Sequence, residues 1–291
     1  MNTLLAAALG MTIPFSWTPG QIEVPVSVNG GAAVTFIVDT GAEYSVLSPE
    51  VAASAGVRTT RTGPRDFGEA SLSFGGVTLP RQRVMVMPFD NFRRQGRAIQ
   101  GLIGYGLFER YVVSIDYDRR VIDLREPDDF RPPAGAQAVA INFVGRLAAV
   151  SVDVRARGRA SGPGARAPGL TLTANVILDT GASQSLLLRH PFAAKHGLFG
   201  LTTDSTTSAP SLASGTLPMA RLAAGSMTLA KWSFDEPFVR MFLSQQGAAG
   251  STDTDGLIGN ELLRRFRVTL DYSRRTMWLE PNGHLDEPFT K

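Results

Sequence analysis

The tetrapeptide Asp-Thr-Gly-Ala occurs twice, each time at the end of an apolar run, and this duplication constrains the fold more than any other feature of the chain. Ile37-Val38-Asp39-Thr40-Gly41-Ala42 leads into Ser45 and Leu47, and Ile177-Leu178-Asp179-Thr180-Gly181-Ala182 leads into Ser185 and Leu187. A lone Asp at a strand end is explained by turn formation, because its short carboxylate bonds the backbone next to it. Two copies with the same flanks imply two copies of one scaffold, each delivering an acid. Carboxylates held about 3 Å apart cannot both ionise, so such a pair keeps one proton near working pH.

A second block repeats in the same order. Gly101-Leu102-Ile103-Gly104 returns as Gly256-Leu257-Ile258-Gly259, and the following residues stay in register: Leu107 with Leu262, Arg110 with Arg265, Tyr111 with Phe266. Val113-Ser114-Ile115-Asp116-Tyr117 then matches Val268-Thr269-Leu270-Asp271-Tyr272. The second copy carries more residues between its two blocks. A period of this length is a duplicated lobe and not a solenoid. A chain of 291 residues holds two such lobes with real cores, and its 30 Gly and 18 Pro favour many turns and an all-β fold.

Local patterns agree. Ile22, Val24, Val26 and Val28 alternate as in a half-buried strand, Asn29-Gly30-Gly31 reads as a hairpin turn, and residues 34–38 return to deliver Asp39. Ser48-Pro49-Glu50 begins a short capped helix. Residues 58–69 read as an exposed hairpin tip, with 202–216 as its counterpart, and a short helix is expected around 107–110. The Pro-, Asp- and Gly-rich stretch 126–137 reads as a linker, and the Arg/Gly/Ala-rich stretch 155–169 as a disordered hairpin tip. The expected organisation is therefore a possible signal-peptide remnant or disordered lead over 1–11, a first lobe over 12–125, the linker, and a second lobe over 138–291. Residues 4–11 resemble part of a secretory apolar region, without the basic start. No stretch has the roughly 18 apolar residues of a spanning helix.

The chain has no Cys, which excludes disulfide scaffolds, thiol catalysis and Cys-based zinc sites. Its three histidines, His190, His196 and His284, form no ligand spacing and read as surface or cap residues, so neither a metal nor a cofactor is expected. Net charge is +3, and clusters such as Arg93-Arg94-Arg97 lack the aromatic interleaving of a nucleic-acid surface; they read as solvated loop charge. Asp116 and Asp271 precede Arg-Arg at hairpin turns, where capping accounts for them. Met85, Met87 and Phe89 have strand spacing and read as core.

With these motifs in hand, the sequence resembles the aspartic peptidases, most of all the bacterial retropepsin-like group in which two lobes share one chain. Leu257-Ile258-Gly259-Asn260-Glu261-Leu262-Leu263 is similar to the hydrophobic-Gly-x-Asn-Leu-Leu element of retroviral enzymes. The resemblance implies an all-β molecule of two similar retropepsin-like β-barrel lobes with a cleft between them and one catalytic acid, Asp39 or Asp179, from each. It implies that Thr40 and Thr180 bond to each other's loops, that Gly41 and Gly181 let backbone approach the carboxylates, and that the Leu-Ile-Gly elements pack behind those loops. The implied activity is that of an aspartic endopeptidase acting on polypeptide through a water activated by the Asp pair. A monomer suffices, and a periplasmic or secreted location is expected, with a cytoplasmic one as the alternative. Pepsin-type enzymes carry Ser or Thr where this chain has Ala42 and Ala182. Without that hydroxyl the acids should be weaker, which places activity at mildly acidic to near-neutral pH. A flap tyrosine is missing from 58–69, where Phe67 is the one aromatic residue and has no assigned role. The alternative is a peptidase scaffold that binds peptide without cutting it.

Overall fold

The computed structural model describes residues 10–18, 20–158, 169–203, 207–211 and 215–289. The expected lead therefore lies outside the described residues up to residue 9, as does most of the Arg-rich tip and part of the Ser/Thr-rich hairpin.

The alternating strand Gln21–Val28 buries Ile22, Val24, Val26 and Val28, and the turn after it takes positive φ at Asn29 (51°) and Gly30 (79°), as an Asn-Gly turn favours. Val34–Val38 returns antiparallel to it and then pairs parallel with Ile99–Ile103. Ser45–Leu47 inserts between Ile99–Ile103 and Val77–Val86, and Arg65–Phe74 runs back along Val77–Val86. Pairing of Ser27 with Ser73 and Val28 with Leu72 brings Arg65–Phe74 onto Gln21–Val28 and closes the strands into a barrel. Ser48 caps the helix Pro49–Ser54 by accepting from the Val51 N–H, as read from the sequence.

The second lobe follows the same order. Leu147–Ala156 pairs with Leu170–Leu178, which runs parallel to Gly256–Ile258; Leu186–Leu188 lies between that strand and Val239–Phe242. One difference is a break. The long hairpin Arg65–Phe74/Val77–Val86 of the first lobe is matched in the second by two split arms, Gly215–Arg221 with Ala224–Leu229, and Trp232–Asp235 with Val239–Phe242. Pro237 lies in the second gap, where it spares a ladder an unmade hydrogen bond. The ladders also correct the simple sequence match after each Asp. Val46 stands opposite Leu102, whereas Leu187, not Leu186, stands opposite Leu257, so the second copy has slipped by one residue.

A third sheet unites the lobes. Its order is Met11–Pro14, Val121–Arg125, Val112–Asp116, Phe266–Asp271, Thr276–Pro281 and Gln137–Ala140, three strands from residues 11–125 and three from residues 137–281. At its centre Val113 faces Leu270, Ser114 faces Thr269 and Ile115 faces Val268. These are the two copies of one repeat, paired antiparallel about the equivalent residues Ser114 and Thr269, whose hydroxyls bond at 2.7 Å. A local two-fold axis therefore passes between them. Strand pairing begins at Met11, within the stretch read as a lead. The main core is continuous across both lobes.

Candidate active site

Each Asp-Thr-Gly loop is held from behind by its own Gly-Leu-Ile-Gly element. The Asp39 N–H donates to the Ile103 carbonyl and the Asp179 N–H to the Ile258 carbonyl, both at 2.9 Å. The Tyr105 and Asn260 N–H groups donate back to the Ala42 and Ala182 carbonyls at 3.0 and 2.9 Å. A Cβ on Gly104 would lie 2.6 Å from the carbonyl oxygens of Ala42 and Tyr44, and one on Gly259 2.5 Å from that of Ala182, so both positions require glycine for close approach.

The two loops then lock to each other. Thr40 Oγ1 donates to the Leu178 carbonyl and Thr180 Oγ1 to the Val38 carbonyl, each at 2.7 Å. In return the Thr40 N–H donates to Thr180 Oγ1 at 3.1 Å and the Thr180 N–H to Thr40 Oγ1 at 2.9 Å. All four bonds cross between lobes, and both threonines are buried. Each glycine sits against the opposite acid: a Cβ on Gly41 would stand 2.7 Å from Asp179 Cγ, and one on Gly181 2.5 Å from Asp39 Cγ. The Gly41 N–H donates to Asp39 Oδ1 at 2.8 Å. The structure thus brings Asp39, Thr40, Gly41, Asp179, Thr180 and Gly181 into one constellation, with the two carboxyls close enough to influence each other's acidity.

Both carboxyls keep a little exposure while protein surrounds most of each. Burial is the main influence on their acidity. It pushes Asp39 up from the ordinary 3.8 to about 6, against the Gly41 N–H, the Asp179 side chain and the Gly181 N–H, which favour ionisation. Asp179 is pushed well above 3.8, first by burial, then by the charge of Asp39 beside it. Two coupled acids both displaced upward are a pair poised to share a proton.

Some neighbours carry little local signal in the sequence. Buried Asn260 donates from Nδ2 to the Thr180 carbonyl at 2.7 Å and to the Gly20 carbonyl at 2.8 Å, and accepts from the Tyr117 hydroxyl at 2.9 Å. Gln21 donates to the Gly181 carbonyl and is itself held by Arg97, which also bonds Glu23 and the Thr18 carbonyl. Arg97, read as solvated loop charge, is instead 12% exposed and ties the first lobe to the second Asp loop. For Asn260 the clues were its place in the Leu257–Leu263 element and a break in the repeat, where it stands in for Tyr105. Phe67 acquires a setting as well. It meets Tyr44 edge-on at 5.1 Å, under the Arg83 guanidinium at 4.4 Å, while Arg146 from the other lobe lies 5.2 Å over Tyr44. Asp116 and Asp271 accept from the Arg119 and Arg274 N–H groups, the capping read from the sequence.

Each Asp loop continues into a wall of side chains, in which Ile37, Val46, Ile177 and Leu187 are buried. Residues side by side in a sheet share a face, so Ile37, Leu102, Val46 and Met85 form one row that begins two residues before Asp39. The corresponding row beginning two residues before Asp179 is Ile177, Leu257, Leu187 and Arg240. The alternate residues of these strands, such as Val38, Leu47, Leu178 and Leu186, go into the main core. Among the described residues no group of three His, Cys, Asp or Glu is placed to hold a metal ion.

Residues 24–107, which include Asp39, match the aspartyl protease family. No curated protein sequence matches the chain. Among solved structures it is similar to the aspartic proteinase from Irpex lacteus, at 13% sequence identity and a TM-score of 0.55, over 97% of this chain and 100% of that one. The fold is that of an aspartic proteinase, and the first lobe carries the sequence signature of the aspartyl protease family.

Proposed function

We propose that the chain is an aspartic-type endopeptidase, with Asp39 and Asp179 as its catalytic pair. The observation that carries this reading is the mutual placement of the two Asp-Thr-Gly loops: each glycine lies against the opposing carboxyl, and each threonine bonds the opposing backbone. Peptide hydrolysis needs a base to activate water and an acid for the carbonyl oxygen. A pair that shares one proton supplies both. The ionised member takes a proton from a water held between the carboxyls, the resulting hydroxide attacks the scissile carbonyl, and the protonated member donates to the oxygen as it becomes tetrahedral. The same proton pool then serves the departing amine. Substrate lies extended between the two walls, its side chains alternating into them. Both acids come from one chain, so a monomer is a complete unit.

Upward displacement of both acids supports a working range above that of ordinary carboxyls. At low pH the pair holds two protons and the base is lost; at high pH it holds none and the acid is lost. The profile of kcat/KM should therefore peak in mildly acidic to near-neutral solution, and an optimum below about pH 3 would count against the assignment. The direct test is digestion of a peptide library by wild type, Asp39→Asn and Asp179→Asn across this range. Wild type should cleave, and each variant should lose at least about a thousandfold in rate. Equal cleavage by all three sinks the proposal, and binding by wild type with no cleavage points to a peptide-holding scaffold instead.

A further inference from the structure

The two walls are equivalent by topology and opposite in chemistry. Met85 stands beside Val46 in the first lobe at the place where Arg240 stands beside Leu187 in the second. Opposite Met85 is Phe67, and opposite Arg240 is Arg221. The first wall is apolar at this depth, and its cation, Arg83, sits further out, exposed, with Glu69 across the ladder. In the second wall the cation takes the deep position. Arg240 is half-buried, and its guanidinium lies 4.7 Å over the Phe238 ring, as does that of Arg221. Among the described residues no carboxylate pairs with Arg240. Burial and the like charge of Arg221 both work against its charge. A planar guanidinium held on an aromatic ring is prepared for two-point contact with a carboxylate, and leaving such a cation without a counter-ion is costly.

We infer that Arg240, flanked by Phe238 and Arg221, forms an acid-selective side-chain pocket on the second lobe's wall, so that the chain prefers an Asp or Glu on one side of the scissile bond and an apolar residue on the other. The inference rests on the peptidase reading and adds its substrate class. The guanidinium makes paired hydrogen bonds to the incoming carboxylate. Arg221 ends one strand of the split second-lobe arms and Arg240 lies in another, at the register positions where the unbroken first lobe has Phe67 and Met85.

The test uses matched peptides that carry Glu, Gln, Leu or Lys at each position flanking one scissile bond, with hydrolysis measured for the wild type near about pH 6.5, where a substrate Glu is ionised. The same peptides with a reduced scissile amide are measured for binding. Glu should exceed Gln by about tenfold or more in kcat/KM at a position on one side only, and the ratio should shrink with added salt. Arg240→Gln should bring that ratio near one, Arg240→Glu should invert it in favour of Lys, and Arg240→Lys should keep part of it. Because the wild-type ratio is read without any variant, a misfolded variant leaves the proposal exposed to refutation. Hydrolysis with equal use of Glu and Gln at every position overturns it, as does a ratio unchanged in Arg240→Gln. Glu-selective binding without hydrolysis supports the pocket and overturns the peptidase reading instead.

Discussion

Gly41 and Gly181 show how little room a dyad of this kind allows. Neither needs a left-handed backbone; each is glycine because a carboxyl from the other lobe occupies the space where a side chain would begin. Backbone behind and an acid in front leave a methyl group no escape except by parting the lobes. Gly181→Ala is therefore expected to cost about 1–3 kcal/mol of stability as an overpacked contact and to reduce kcat/KM by at least about a hundredfold, because small misplacements of reacting groups are penalised steeply. Thermal melts and steady-state kinetics on Gly181→Ala and Gly41→Ala check both. A variant with wild-type kinetics would mean that the two carboxyls do not act from this arrangement. At this scale the motif was legible because everything it needs is local: strand, acid, hydroxyl and glycine in four consecutive positions, written twice.

At the level of elements, legibility depends on how far apart in the chain the interacting pieces lie. Strands with alternating valines, the Ser48-capped helix and the Asp-Tyr hairpins could be read because turn chemistry and period act over a few residues. The network around Asn260 could not, since Tyr117 precedes it by 143 positions and Gly20 by 240, and no local pattern records such partners. The split hairpin of the second lobe was hidden for a different reason: its breaks at 222–223 and 236–238 are defined by which strands pair, and short apolar runs do not record their partners. The one-residue slip between the copies likewise arises from ladder register, which an ungapped comparison of Ser45-Leu47 with Ser185-Leu187 misses. The Asn260 network itself gives a measurable expectation. Asn260→Leu strips partners from the Tyr117 hydroxyl and two carbonyls, and should destabilise by about 2–4 kcal/mol, whereas Tyr117→Phe, which leaves Asn260 Oδ1 without its donor, should cost about 1–2 kcal/mol. The double variant should recover about 0.5–1.5 kcal/mol relative to the sum, as expected of residues in one network. Strict additivity in urea titrations would show that the bond contributes nothing.

For the whole molecule, the acidity of the pair is a product of assembly. Neither loop alone desolvates its Asp; closure of the two lobes about the Ser114–Thr269 axis does, by placing each acid against the other lobe's glycine. Stability must then depend on pH in a defined direction. The unfolded carboxyl titrates near 3.8 and Asp39 in the folded protein at about 6, so between these values the native state binds more protons than the unfolded state. The contribution is full below 3.8, where both states are protonated, and is lost as pH rises through about 6; Asp179, displaced upward as well, extends the loss to higher pH. The loss from Asp39 should come to about 1–3 kcal/mol, with partial exposure of the site holding it toward the lower end. Other carboxylates oppose this trend, among them Glu287, which His284 and Arg264 hold down at about 2, so total stability alone is a poor readout. The difference between wild type and Asp39→Asn/Asp179→Asn isolates the pair, because groups distant from it cancel. Measured by urea denaturation from about pH 4 to pH 7, that difference should move steadily in favour of the double variant as pH rises. A flat difference would mean that the folded protein does not raise the acids, and a difference moving the other way would mean that it favours their charged forms. Either result would remove the shared proton on which the proposed chemistry depends.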